Sequence, residues 1–209
     1  MISVFKWLKG FFRLENIKAA IGSIKRRLLG WGYLEMRIDL AKHSVPAQDS
    51  LDKDVRIGGY SETIQAESID LLNSVTSLGL WNNSNFQQLL HSVDDPGKDI
   101  FVLYEKDYPV GFTVAHKKNL SDNSVEVGYI AVRPKSRGKQ YGFKLLKYVI
   151  LELKKRHIAY VFLRSDSFRI PALKTYLKCG FVPYHRNENQ KKRWQNVMKQ
   201  INRKNAVDN

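Results

Sequence analysis

Residues 125–142 read VEVGYIAVRPKSRGKQYG, an order of residue types that can seat an anion. An apolar run of strand length ends at Arg133-Pro134. A short basic loop containing Gly138 follows, and Gly142 stands in the first turn of a helical pattern. The first N–H groups of a helix lack intrahelical acceptors and carry a partial positive charge, so they bind phosphate-like groups. Gly138 and Gly142 let backbone and ligand approach closely, while Arg133, Lys135, Arg137 and Lys139 add cationic charge. A solvated basic turn at a helix start has the same composition, so the loop alone leaves both readings open. No His, Cys or carboxylate pair has metal-ligand spacing, so no metal is expected. No Gly-Lys-Ser/Thr loop argues for ATP. Cys179, the single cysteine, has no His or Asp beside it to activate a thiolate and reads as a small packing residue.

The elements that must position this loop follow from periodicity. Upstream, VRIGGY (55–60) is expected as a strand, 61–75 as a helix capped by Ser61, and 78–85 as a loop exposing Trp81, with Ser84 capping the helix after it. DDPG (94–97) reads as a turn. Residues 99–106 and 109–117 form a hairpin about Asp107-Tyr108, and 121–123 turn into strand 125–132. Strict alternation along that strand puts Glu126, Gly128 and Ile130 on one face and Val125, Val127 and Tyr129 on the other. Downstream, 140–156 carries Phe143, Leu146, Val149, Ile150 and Leu153 on one helical side. A short apolar strand (159–164), a helix (169–179), a strand (181–184) and a helical tail (190–201) complete the order. Strands and helices mixed in this way give an α/β or α+β sheet covered by helices.

At 209 residues with 43% hydrophobic and 26% charged composition, the chain suits a globular domain with an extension. One cysteine excludes an internal disulfide framework and fits a reducing compartment. The formal net charge is +15, concentrated at the N-terminus, 133–156 and 191–204, while 55–130 leans acidic. Anionic partners are favoured. Residues 1–31 read as an amphipathic helix, with Leu14, Ile17, Ile21, Ile24, Leu28 and Trp31 at helical spacing among Lys and Arg. Such a helix suits an anionic membrane surface, its own domain or a second subunit. Alternation at 34–41 gives a strand, and 43–54 a linker. We therefore divide the chain into 1–53 (helix, strand and linker) and a main domain at 54–203. No apolar run is long enough to span a bilayer, and Lys6, Lys9 and Arg13 interrupt any secretory h-region.

Two segments together sharpen the anion loop. VRPKSRGKQYG is followed, about thirty residues on, by Ala172-Leu-Lys-Thr-Tyr176-Leu-Lys-Cys-Gly180-Phe181. The combination resembles the Gcn5-related N-acetyltransferase (GNAT) superfamily, whose strand, V-x-P-x-x-R-G-x-G-x-G/A loop, helix, strand and A-x-x-x-Y-x-x-x-GF segment recur here in order over roughly 54–184. The string LRSDSFRIPALKTYLKCGFVP with Arg193-Trp194 is similar to a prokaryotic branch, that of the mycothiol synthase domains. The departures are Gln140, where the third motif position is usually glycine, and Arg169, where an asparagine is common.

The resemblance implies a mixed, mostly antiparallel central sheet flanked by helices, and acetyl-CoA as co-substrate with no metal. It lays the pantetheine arm along Ile130, Ala131 and Val132. It lays the pyrophosphate on the loop formed by Arg137, Gly138, Lys139, Gln140, Tyr141 and Gly142. Tyr176 matches the tyrosine that protonates the departing thiolate. The acceptor, a small-molecule amine, attacks directly in a ternary complex and needs a base within hydrogen-bond reach. Glu126, flanked by Val125 and Val127, is the first candidate; His116 on the preceding strand is the second. The acidic middle region suggests a cationic amine arriving across loop 78–85. The activity so implied is that of an N-acetyltransferase (EC 2.3.1.-), cytoplasmic or peripheral to a membrane, with a homodimer compatible. The competing reading is a non-catalytic acyl-CoA-binding, membrane-associated or RNA-associated module on a degenerate GNAT fold. No RNP-like aromatic motif or helix-turn-helix supports specific nucleic-acid binding.

Overall fold

Seven strands form one sheet in the order β2-β3-β4-β5-β6-β1-β7: β1 (Leu34–Asp39), β2 (Val55–Gly59), β3 (Ile100–Glu105), β4 (Tyr108–Ala115), β5 (Ser124–Val132), β6 (Tyr160–Ser165) and β7 (Val182–Tyr184). The computed structural model describes residues 33–43 and 51–207, with side chains to residue 202. The amphipathic helix expected at 1–31 and most of the 43–54 linker lie outside the described residues. Every neighbouring pair is antiparallel except β5 and β6. The helices are α1 (Gln65–Ser74), α2 (Asn83–His91), the short α3 (Pro96–Asp99), α4 (Tyr141–Lys155), α5 (Ile170–Lys178) and α6 (Glu188–Val207).

Burial follows the periods of the sequence. Leu34, Met36 and Ile38 alternate into the core at 0–2% exposure. Leu145, Leu146, Val149, Ile150 and Leu153 form the inner stripe of α4, each at most 2% exposed. At about 2 kcal/mol per fully buried aliphatic side chain, that stripe anchors α4 firmly. These residues join Val125, Val127, Leu173, Tyr176 and Trp194 in one core cluster. A second cluster, with Leu71 and Leu72 of α1 and Phe86 and Leu89 of α2, packs on Val102, Phe112 and Val114.

Five local details depart from the sequence reading. β1 was placed in the N-terminal region, yet it is an interior strand between β6 and β7. The compact unit therefore starts at Leu34 rather than at residue 54. Strand neighbours so distant in sequence leave no local signature. The β3–β4 hairpin turns on Lys106 and Asp107, both at positive φ (50° and 60°), the two-residue turn whose twist matches its strands; Tyr108 already belongs to β4. Asn82, not Ser84, caps α2, through a capping box with Asn85. Ser61 makes no capping bond, and a 3₁₀ turn at Glu62–Ile64 precedes α1.

The fifth departure shapes the site. Phe112 pairs with Ala131 but Val114 pairs with Gly128, so Tyr129 and Ile130 both oppose Thr113. Tyr129 takes φ +52°, and Thr113 Oγ1 donates to the Gly128 carbonyl at 2.9 Å. This is a bulge, and it resets the alternation. Ile130 and Val132 join the α4-side core with Val125 and Val127, while Tyr129 and Ala131 join the α1–α2 side. The faces expected for Tyr129 and Ile130 are exchanged.

Candidate active site

β5 and β6 run parallel but pair only from Ser124–Glu126 to Tyr160–Phe162. Beyond Glu126 the strands diverge, so the β6-facing edge of residues 128–132 has no strand partner and forms one wall of a fork. From there the chain passes through Arg133 and a 3₁₀ turn at Pro134–Ser136 into the basic loop. Gly138 sits at φ +84° and Gln140 at φ +58°, the left-handed cap of α4. The left-handed conformation costs a non-glycine residue about 1 kcal/mol. That cost is the physical reason a glycine suits position 140, and the Gln140 amide partly offsets it by accepting from Lys178 Nζ at 3.0 Å.

The main-chain N–H groups of Gly138, Lys139, Gln140, Tyr141, Gly142 and Phe143 donate to no group among the described residues. A run of orphan donors at a helix start is what a pyrophosphate requires. The loop is fixed from below by Glu105 at the end of β3. Its Oε1 accepts from Tyr141 Oη at 2.7 Å and from Lys139 Nζ at 2.5 Å. The Lys139 hydrogen bond first, then that of Tyr141, holds the Glu105 carboxyl below its ordinary value. Burial first, then the Glu105 bond, pushes the Tyr141 phenol up to about 12.

A groove of about 650 Å³ runs from this loop to α5. Its floor is Ile130 and Val132, its near wall Gly138, Gln140, Tyr141, Gly142 and Phe143, and its far wall Pro171, Ala172, Thr175 and Tyr176. Arg137, Arg169, Lys174 and Lys178 also line it, with no carboxylate among the lining residues. An apolar floor, a cationic rim and a row of unused amides fit a pantetheine arm ending in phosphates. Tyr176 is 4% exposed. Burial raises its phenol above the ordinary 10.0, against a smaller lowering by the Arg169 guanidinium. It therefore keeps its proton at neutral pH, as a proton donor must.

Of the residues singled out from sequence, the structure gathers Ile130, Val132, Arg137, Gly138, Gln140, Tyr141, Gly142 and Tyr176 around the groove. Ala131 faces the second core cluster instead, Lys139 is drawn onto Glu105, and Arg133 is not a loop cation at all. Arg133 Nη1 bonds Asp70 of α1 at 2.7 Å, and its Nε bonds the Pro109 carbonyl at 2.9 Å, tying the end of β5 to its neighbours. Lys178 and Phe143 were missed; the signal available was adjacency in the chain, Phe143 directly after Gly142 and Lys178 two residues after Tyr176. Val75 and Ser77 were missed with no signal to find them. Burial pushes the Cys179 thiol up to about 12, which suits packing and not nucleophilic attack. Among the described residues no cluster of His, Cys, Asp and Glu could hold a metal.

Glu126 lies outside the groove, at the crotch of the fork. Arg164 grips both its oxygens, Nε to Oε1 at 2.9 Å and Nη2 to Oε2. Glu126 is thus held in a bidentate ion pair. His116, the residue after β4, donates its main-chain N–H to the Glu126 carbonyl at 2.9 Å. Its Nδ1 lies 2.9 Å from Ser92 Oγ. Burial first, then Arg164, lowers the imidazole below 6.5; Glu126 and Ser92 act the other way. A second cavity of about 330 Å³ opens beside it, walled by Trp81, Tyr129 and Leu89. Trp81 was expected to be exposed. Its ring instead meets Tyr129 edge-on at 5.0 Å, and its Nε1 donates to the Leu78 carbonyl.

Comparison with known proteins agrees with this geometry. The family model described as Acetyltransferase (GNAT) family matches residues 66–181. No curated protein sequence matches. A GCN5-related N-acetyltransferase from Sphaerobacter thermophilus is similar in structure, with TM-score 0.62 and 16% identity over 78% of this chain. The match covers 54% of that protein, so the chain spans about half its length. The ribosomal-protein-S18-alanine N-acetyltransferase of Escherichia coli gives TM-score 0.54 and 20% identity, over 63% of this chain and 79% of that one. Arabidopsis thaliana Naa50, in complex with the bisubstrate analogue CoA-Ac-MVNAL, gives 0.53 and 22%, over 63% and 85%. At these identities the solved structures establish the fold, and the family model, spanning more than half the residues, establishes the kinship. This chain belongs to the acetyltransferase (GNAT) family.

Proposed function

We propose that the chain is an N-acetyltransferase that moves an acetyl group from acetyl-CoA to a primary amine by direct attack in a ternary complex. The observation that carries this reading is the run of orphan N–H groups at 138–143, set at the mouth of a cationic groove that ends against a buried, protonated tyrosine. Acetyl-CoA would supply the activated thioester. Residues 138–143 would hold its pyrophosphate, Ile130 and Val132 would support the arm, and the unpaired edge of β5 would orient it. Tyr176 would give its proton to the leaving sulfur. The proton acceptor would come from the β4–β5 pair, where Glu126 and His116 lie side by side, and the amine would enter across loop 79–82.

The test is thiol release from acetyl-CoA by the full-length chain against a panel of amines, with mass-spectrometric detection of the acetylated product. Amine-dependent release supports the reading. Tight acetyl-CoA binding with no release from any amine would favour a non-catalytic acyl-CoA module. Residues 1–31 are proposed to hold the enzyme, in the cytoplasm, against an anionic membrane. Co-sedimentation with phosphatidylglycerol vesicles, full-length against a chain lacking those residues, reads this directly.

A further inference from the structure

The cavity beside His116 is chemically unlike the groove. Trp81, Tyr129, Leu78 and Leu89 supply its surface, Asn85, Gln88 and Ser92 its polar atoms, and among the described residues His116 is its only titratable side chain besides Tyr129. No carboxylate among the described residues lines it. A polyamine or other multiply charged acceptor would bring charges with no counter-ion there, a costly arrangement in a half-enclosed apolar site. The cavity adjoins the groove through consecutive residues. Ser77 and Ile130 line the groove, while Leu78 and Tyr129 line the cavity. The bulge at 129–130 is therefore the partition between them.

Three features fix His116 on the wall of this space. Nδ1 is occupied by Ser92 Oγ at 2.9 Å, which leaves Nε2 as the other ring nitrogen. The ring rests against the bulge, tilted on Tyr129 at 5.7 Å between centroids. Gly128 makes the approach possible, because a Cβ there would stand 2.9 Å from Nε2. The charged groups facing the imidazole are Glu126 of β5 and Arg164 of β6, and these two neutralise each other in a bidentate pair. That pairing also occupies both oxygens of the carboxylate first considered as the base.

The geometry points to His116 as the general base of the reaction, and to an acceptor whose amine is carried on a single aromatic or aliphatic body seated against Trp81, Tyr129 and Leu89. This rests on the N-acetyltransferase reading and adds the base and the acceptor class. His116 Nε2 takes one proton from the ammonium and passes it to solvent. The freed nitrogen forms its bond to the thioester carbonyl carbon, the C–S bond breaks, and Tyr176 protonates the sulfur. The second nitrogen proton restores the phenol. A neutral imidazole at pH 7, which burial favours, is ready for that role.

The experiment compares phenethylamine with spermidine as acceptors, using wild type, His116→Gln and Gly128→Ala, alongside acetyl-CoA binding by calorimetry. Phenethylamine should be preferred by roughly tenfold or more in kcat/KM. His116→Gln should lose roughly a hundredfold at pH 7, and the fall of kcat/KM below pH 6.5 should vanish with it, while acetyl-CoA affinity stays within about twofold. Gly128→Ala, which pushes the ring aside, should lose rate in the same manner. An unchanged acid limb in His116→Gln, or a preference for spermidine, overturns the proposal and leaves the acetyltransferase reading standing. Phenethylamine binding is also read without turnover, as quenching of tryptophan fluorescence that Trp81→Phe abolishes; no quenching in wild type overturns the acceptor site. Loss of acetyl-CoA binding in wild type itself would instead bring down the underlying reading.

Discussion

The groove under the basic loop and the cavity beside His116 lie on opposite sides of one bulge and have opposite electrostatic characters. Arg137, Arg169, Lys174 and Lys178 rim the groove, and no carboxylate is among its described lining residues. The cavity is walled by aromatic and aliphatic side chains around one imidazole. A site for a polyanion needs orphan donors and spare cations. A site whose base must stay unprotonated needs apolar walls, because desolvation disfavours the imidazolium. The same contrast separates the two proton-transfer residues. Burial holds Tyr176 in its protonated form and His116 in its unprotonated form. Desolvation penalises the charged state of each, and because one is an acid and the other a base, it prepares each for its task.

The largest effect expected from breaking that contrast is on the acid side. Tyr176→Phe removes the proton donor and keeps the ring in the core, so turnover should fall roughly a hundredfold. Acetyl-CoA affinity, measured by calorimetry, should hardly move. An unchanged rate would remove Tyr176 from the chemistry.

The pH dependence comes next. The folded His116 value lies below 6.5, so its base form predominates at pH 7 and is lost as pH falls through that lower value. The folded Tyr176 value lies above 10.0, so its acid form is lost only as pH rises beyond that point. The profile of kcat/KM should be a broad plateau bounded by an acid limb below 6.5. Stability follows the same sign for His116. The unfolded chain binds the proton more readily between the two values, so part of the stability is lost as pH falls from 6.5 through the folded value.

Smaller effects belong to the loop. Gly138→Val forces a β-branched residue to φ +84°, where an added Cβ meets no atom within 4 Å but the backbone itself is strained. A cost of about 1–2 kcal/mol should appear as a lower melting temperature and roughly tenfold weaker acetyl-CoA binding. Gln140→Gly works the other way. It relieves left-handed strain of about 1 kcal/mol, less the extra entropy of a glycine in the unfolded chain. The melting temperature should rise by about 2 °C at most, and acetyl-CoA should bind slightly tighter. Weaker binding would mean that the Lys178–Gln140 hydrogen bond holds the loop open for its ligand.

What could be read from sequence divides along the same line. The groove was legible because its parts are local. A strand, a glycine loop and a helix start are contiguous from 125 to 142, and Ala172 to Phe181 is one helix and its turn. The cavity was not legible. Its walls come from the loop after α1, from α2, from the residue after β4 and from β5, and Tyr129 faces it only because the bulge reverses the alternation that strict pairing would give. The insertion of β1 between β6 and β7 was hidden for the same reason. Its alternation announced a strand, but register with partners more than a hundred residues away follows from packing across the sheet. Glu126 stood out for being a carboxylate between valines. Its partner Arg164 lies on another strand, and only the parallel pairing of β5 with β6 brings the two together.

The account stands on the orphan amides of residues 138–143 as the seat of an acyl-CoA. Calorimetric titration of acetyl-CoA into the full-length chain, with Gly138→Val alongside, addresses this most directly. One saturable site in wild type, weakened in the variant, is the predicted result. No heat of binding up to about 1 mM, the upper end of ordinary enzyme working concentrations, or equal binding by both proteins, would contradict it.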